Sequence, residues 1–257
     1  MDIYEIAIPS YKRPELLKNT TLKLLGDLNN IKIFIRDDAE LVNYQKVIGD
    51  KYEFVITNSV GIKNTRNFIR NYYYKHDIDY KFVIFMDDDI KAISKLDNRK
   101  LKVVDNLNDF FLYCYATTVK QNLRFFGLCG FDNAFFMKED ISTNLKFIIG
   151  ACCGLVAPKE KLILCDVGTM EDYQFTMEHF LQDGGIVRFN NYCITTKFNN
   201  PLGGICEDLG GIDARNSDTK QSCEYLADKY PDMCKIKIKK NGNYDIQLNY
   251  RFKNCPR

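Results

Sequence analysis

Short apolar runs alternate with amphipathic stretches through the first third of the chain. Glu5–Pro9, Ile31–Ile35, Glu53–Thr57 and Phe82–Met86 read as strands, because each is a run of strand length bounded by polar or turn residues. Between them lie segments with helical spacing. Pro14 opens the first, and Leu16, Leu17, Leu24 and Leu25 give it an apolar face. Glu40–Ile48 fits a short helix, and Ile62–Tyr74 a longer one with Ile62, Phe68 and Ile69 spaced for burial. Repeated strand–helix units predict a mostly parallel, doubly wound sheet of the α/β class.

After the fourth strand the rhythm changes. Leu107–Thr117 and Glu171–Leu181 read as helices, Ile148–Ala157 as a strand pair or a bent strand, and Ile186–Asn190 as a short strand. Cys129–Asp132 and Phe135–Lys138 read as irregular and strand segments. Asn199–Gly211 is glycine-rich and aperiodic, hence a long loop. Ser222–Lys229 is helical, and Cys234–Ile238 with Tyr244–Leu248 reads as a terminal hairpin turning at Lys240–Asn243. The expected organisation is a first half over 1–92, a second half of the same domain over 93–219, and a basic helix and hairpin with antiparallel pairing over 220–257.

Hydrophobic content of 46% and charged content of 27% are those of a globular chain and argue against disorder. A strand beginning at Glu5 leaves no room for a signal peptide, and no apolar run is long enough to span a bilayer; cytoplasmic residence, with no membrane contact and no obligate protein partner, is the expectation. The 10 cysteines include no C-x-x-C pair, which favours free buried thiols over a structural zinc site. Net charge is only +2, yet from Lys220 to Arg257 nine basic residues face four acidic ones. That tail is either a polyanion-binding patch or a solvated face.

The chemistry concentrates where Phe82–Met86 runs into Asp87-Asp88-Asp89. Carboxylates are costly inside a core, so they belong at the mouth of the strand, where open α/β sheets bind ligands. Asp87 and Asp89, two apart, can share the cleft face, and a divalent cation relieves their repulsion while holding substrate phosphates. A solvated acidic turn is the alternative. Three further polar clusters follow the other strands: Pro9-Ser10-Tyr11-Lys12-Arg13, Arg36-Asp37-Asp38, and Gly61-Ile62-Lys63-Asn64-Thr65-Arg66-Asn67. In a nucleotide site, Tyr11 can stack on a base and Asp37 or Asp38 can accept from it. Arg66 can donate to a diphosphate, pin the metal-binding carboxylates, or sit on the helix surface. Gly61 belongs to the site or simply provides a tight turn. Cys152-Cys153-Gly154 reads as a core strand or as the floor of a sugar pocket.

The order Ile6–Pro14, Gly61–Asn67 and Asp87–Asp89 resembles nucleotide-sugar glycosyltransferases of the GT-A fold over most of the chain. Glu171-Asp172-Tyr173, Asp183–Asn191, Gly203-Gly204 and the ending Lys229–Pro231 with Lys239–Gly242 look more narrowly like the phage-encoded TET-associated glycosyltransferases, which modify 5-hydroxymethylcytosine in DNA. The resemblance implies a UDP-sugar donor, Mn²⁺ or Mg²⁺ as cofactor, and DNA as acceptor. Asp87 and Asp89 then match the metal-binding DxD motif, with Asp88 against the donor ribose or sugar and Asp37 reading uracil. Pro9, Ser10, Tyr11, Arg13, Gly61, Lys63 and Arg66 are the remaining donor-site residues. Glu171-Asp172 matches an acceptor-side acidic pair, with Asp172 the favoured base. His179, seven residues later, is a third metal ligand or a packed helix residue. Asp172 also stands where a capping box with Thr169 would place it. Acceptors other than DNA, a glycan or a small molecule, stay open, as does a non-catalytic nucleic-acid-binding module. For a DNA acceptor the cations would be Lys197, Arg215 and the Lys235, Lys237, Lys239 and Lys240 group.

Overall fold

The structure is a computed structural model and describes residues 3–75, 80–196 and 210–253. Lys197, Gly203-Gly204, Cys206, Cys255 and nearly all of the expected Asn199–Gly211 loop lie outside the described residues.

Strand β1 (Tyr4–Pro9) is followed by α1 (Pro14–Asn19) and α2 (Thr21–Leu25), then β2 (Ile31–Ile35), α3 (Asp38–Ile48), β3 (Glu53–Ile56), α4 (Ile62–Lys75) and β4 (Phe82–Met86). The expected first helix is therefore two. It breaks at Thr20, whose φ of -121° and ψ of -92° are not helical. Next come β5 (Ile90–Asp97), β6 (Lys100–Val103), α5 (Leu107–Lys120), β7 (Phe125–Cys129), β8 (Ile141–Ser142) and β9 (Cys152–Val156). The chain continues with α6 (Glu171–Asp183), β10 (Val187–Thr196), α7 (Ile212–Lys229) and the hairpin β11 (Cys234–Ile238) and β12 (Tyr244–Leu248). No strand forms over 135–138, where Phe136 N bonds back to Asn133 O in a turn. The expected divisions at 92/93 and 219/220 fall inside β5 and α7.

One large sheet runs β3-β2-β1-β4-β9-β7-β10-β5-β6, with β8 on β10. Its first four strands are parallel, as right-handed strand–helix–strand units require. β9 enters antiparallel between β4 and β7, and the β5–β6 hairpin closes the far edge. This is the mixed α/β, GT-A-like class expected from the sequence, with a separate antiparallel hairpin at the C-terminal end.

Helices cover both faces. On one, Leu17, Leu22, Tyr44, Phe110 and Phe111 pack with Ile6, Ile8, Ile33 and Ile84 of the sheet. On the other, Ile69, Tyr73, Phe175, Phe180 and Leu226 pack on Ala7, Phe34, Val83 and Phe85. Being buried on both faces is why β1, β2 and β4 read as unbroken apolar runs. All eight cysteines among the described residues are free and buried.

Candidate active site

The parallel strands β1 to β4 deliver their C-terminal ends to one edge, and the cleft opens there. Pro9, Tyr11, Arg36, Ser59, Gly61 and Thr65 are among its walls, and it encloses about 590 Å³ open to solvent. Gly61 turns with φ +80°, a conformation that disfavours any side chain. The Arg36 guanidinium stacks 3.6 Å from the centre of the Tyr11 ring, and its Nε donates to Ser59 O at 3.2 Å.

At the end of β4 the three acids divide as strand alternation requires. Asp87 and Asp89 are half-buried and Asp88 is fully buried. Arg66, on α4, donates through Nη2 to Asp87 Oδ1 at 2.7 Å and through Nη1 to Glu171 Oε1. Two flanking carboxylates raise the guanidinium pKa despite its burial. Of the roles read from the sequence for Arg66, pinning the carboxylates is the arrangement found.

Asp88 is also among the residues lining the cleft, with its carboxylate engaged by protein partners. Its Oδ2 accepts from Ser10 Oγ at 2.5 Å and its Oδ1 lies 2.7 Å from Arg13 Nη2. Burial pushes its pKa up to about 7 against the pull of Arg13 and Ser10. Ser10 and Arg13 are committed to this internal clasp, and Tyr44 Oη completes it by accepting from Arg13 N at 3.2 Å. From below, Thr20 Oγ1 donates to Asp88 O and Thr21 Oγ1 to Asp87 O, both at 2.8 Å, while Ile90 N donates to Thr21 Oγ1 at 2.9 Å. Thr20, Thr21 and Tyr44 carry no local sequence signal for this role, since the partners lie far along the chain.

Asp37 is not among the residues lining the cleft. It caps α3, accepting from Glu40 N at 3.0 Å, and Arg36 takes its place in the cleft wall. Lys63 points away, its Nζ donating to Asp166 O at 3.3 Å. His179 is not at the acidic mouth. It is wholly buried, stacked on Phe125 at 4.8 Å, with Nδ1 2.9 Å from Asp183 Oδ2. Burial lowers its pKa to about 4, so the ring is a neutral core residue.

Glu171 and Asp172 open α6 as expected, but no capping box forms. Met170 occupies the cap position with φ 60°, and Thr169 Oγ1 faces Thr219 and Ser222 instead. Glu171 is buried and held by Arg66. Asp172 accepts from Gly150 N at 3.3 Å and Tyr173 N at 3.0 Å, and lines a cavity of about 20 Å³ with Arg66 and Gly150. Burial, with the Glu171 charge beside it, raises its pKa to about 7, the range of a working general base.

The donor set at the mouth fits a divalent cation. Burial and the nearby Asp87 charge both raise the Asp89 pKa, a repulsion that a cation would relieve. Among the described residues no group of three metal-ligating side chains forms. Asp87 and Asp89 would thus supply two oxygens, and a bound diphosphate and water the others.

Solved structures of other proteins are similar to this chain in varying degree. A mycobacterial protein is 10% identical, over 95% of this chain and 83% of that one, with a TM-score of 0.51. Staphylococcus aureus TarS, residues 1–349, is 14% identical over 90% of this chain and 74% of that one, at 0.49. The 4-diphosphocytidyl-2C-methyl-D-erythritol synthase of Anaerococcus prevotii is 11% identical over 77% and 92%, at 0.42. At such identities the likeness concerns the fold alone. No family model and no curated protein matches the chain. Among the described residues no helix is long and apolar enough to cross a membrane.

Proposed function

We propose that the protein is a glycosyltransferase that moves a sugar from a uridine diphosphate sugar to a hydroxyl of a glycan or small molecule. One observation carries this reading: half-buried Asp87, oriented by Arg66, lines the cleft where β4 ends, with half-buried Asp89 two residues on. The Tyr11–Arg36 stack and the Gly61 turn form the nucleotide end, and Asp87 and Asp89 the diphosphate end. A divalent cation there would neutralise charge on the departing diphosphate. Asp172 takes the acceptor hydroxyl proton. The acceptor oxygen then bonds to the anomeric carbon as the bond from that carbon to the phosphate oxygen breaks, and uridine diphosphate leaves with the electron pair.

The resemblance to TET-associated enzymes points instead to 5-hydroxymethylcytosine in DNA. The lysine stripe that reading needs is exposed at Lys235, Lys237 and Lys239, the last also paired with Asp245 at 3.2 Å, so it does not choose between acceptors. The glycan or small-molecule acceptor is the reading adopted because the mouth asks only a hydroxyl of it. The test is calorimetry of uridine diphosphate with and without Mn²⁺, then incubation of uridine diphosphate sugars with saccharides, sugar phosphates and DNA with or without 5-hydroxymethylcytosine, read by mass. Metal-assisted binding and transfer to a saccharide or sugar phosphate are expected. Transfer to hydroxymethylated DNA alone would replace the acceptor, and absence of nucleotide binding would overturn the reading.

A further inference from the structure

Another cavity lies between the first turns of α7 and the tip of the β11–β12 hairpin, with Met170 in its wall. It holds about 640 Å³, inside the roughly 300–1,000 Å³ of small-ligand sites. Its hairpin wall is preformed. Lys239 N donates to Asn243 O at 2.8 Å, Gly242 N to Lys239 O at 2.9 Å, and Asn243 N to Asn241 Oδ1 at 3.2 Å.

Helix packing puts this cavity on the mouth side of the molecule. Glu171, the first residue of α6, is held by the guanidinium that holds Asp87, so α6 starts at the mouth. α7 runs beside α6 in the same sense. Thr219 Oγ1 meets Thr169 Oγ1 just ahead of α6, and Lys229 Nζ lies 3.3 Å from Glu178 Oε1 within it. Ile212, which opens α7, stands two turns before Thr219, so α7 overhangs the start of α6 by about 10 Å. The cavity is built on that overhang, and the residue after Met170 is Glu171.

The walls select by chemistry. Arg215 and Lys220 from α7 and Lys239 from the hairpin line the cavity, and no carboxylate does. Lys220 lies 3.9 Å from Glu224 and Lys239 lies 3.2 Å from Asp245. An ammonium has three donors, so each keeps donors for a ligand beside its acid. Asn216, Thr219, Asn241 and Asn243 bring groups that both donate and accept, while Ile212 and the Tyr244 ring add apolar surface. A saccharide presents the matching pattern, hydroxyls around apolar C–H faces, and the three cations ask for negative charge on it. A nucleic-acid strand fits less well. Of Lys235, Lys237, Lys239 and Lys240 only Lys239 lines the cavity, so the cations converge on a pit instead of tracking a backbone.

We infer that this cavity seats the charged part of the acceptor, a saccharide carrying a phosphate or a carboxylate, beside the start of α6. Calling that ligand the acceptor rests on the transferase reading above.

The test is calorimetric titration of the full chain with glucose, glucose phosphate and glucuronate, each with excess Mn²⁺ and uridine diphosphate so that the donor cleft is occupied. One charged sugar is expected to bind at least tenfold more tightly than glucose, and its identity assigns phosphate or carboxylate. Lys220→Gln combined with Lys239→Gln, both on exposed side chains, should bring that affinity to within twofold of glucose and leave uridine diphosphate affinity unchanged. Equal binding of all three sugars, a charged sugar that binds only when uridine diphosphate is omitted, or wild-type preference in the double variant would overturn the site. So would a single-stranded DNA oligonucleotide that displaces the sugar and loses its own affinity in the double variant. Sugar binding that the double variant weakens, in a chain that binds no nucleotide, would overturn the donor reading and leave the cavity standing.

Discussion

Arg66 holds Asp87 at 2.7 Å, and the same guanidinium is the counter-charge for buried Glu171. One side chain therefore joins the β4 mouth to the start of α6. Replacing it by Met should leave Glu171 buried beside Asp172 without a partner and cost about 3–5 kcal/mol at neutral pH. Adding Glu171→Gln should recover a large part of the loss. A urea-unfolding double-mutant cycle measures this, and strictly additive effects would contradict the coupling.

Asp172 should give the reaction an acidic limb. A base works as its carboxylate, and burial with Glu171 holds its pKa at about 7, so kcat/KM should rise as pH increases through that value. Asp172→Asn should remove the limb and reduce turnover roughly 10²-fold. Stability runs the other way. A folded-state pKa above the unfolded 3.8 means the native chain holds the proton more tightly, so the contribution is full at acidic pH and declines as pH rises to about 7. Unfolding at several pH values should show a shallower decline in the Asn variant.

Thr21→Val keeps the shape of a fully buried side chain and removes its hydroxyl. Asp87 O loses a donor and Ile90 N loses its acceptor. The expected cost is about 2 kcal/mol, the scale of buried polar groups left unpaired. Thermal unfolding gives that loss, and Mn²⁺ titration with uridine diphosphate should show weaker binding than wild type.

Gly150→Ala tests how closely the backbone approaches the site. A Cβ there would stand 2.3 Å from Arg66 Nη1 and 3.0 Å from Asp172 Cβ. Arg66 must move, so transfer should fall at least tenfold while the circular-dichroism spectrum stays that of the wild type. Unchanged turnover would show that Arg66 has slack the geometry does not display.

Strands covered on both faces were legible because burial forces an apolar run, as in β1, β2 and β4. The β5–β6 hairpin was not. Its residues alternate with lysines, and its turn places Asn98 at φ 49° and Arg99 at φ 62° without the glycine that signals such turns. β10 was cut short at Asn190, because a register shift between Phe189 and Cys193 carries it past two polar residues. In the site, the placement of Asp87 and Asp89 at the strand mouth followed from the cost of burying carboxylates in the core. Asp37 and Lys63 are engaged by partners invisible to local pattern, and Asp88 lines the cleft with its carboxylate held by Ser10 and Arg13. Thr20 and Thr21 were missed for the same reason.

The threonine clasp ties the formation of the acidic turn to chain topology. Its bonds join residues 66, 68 and 69 positions apart. Contacts of such separation form late, after local helices and turns, because loop closure must come first. A refolding chain should thus regain helical circular dichroism before it regains Mn²⁺ and nucleotide affinity. In that interval it would be a folded-looking protein without a working mouth, and a chain emerging from the ribosome would stay in that condition until β4 had docked beside β1.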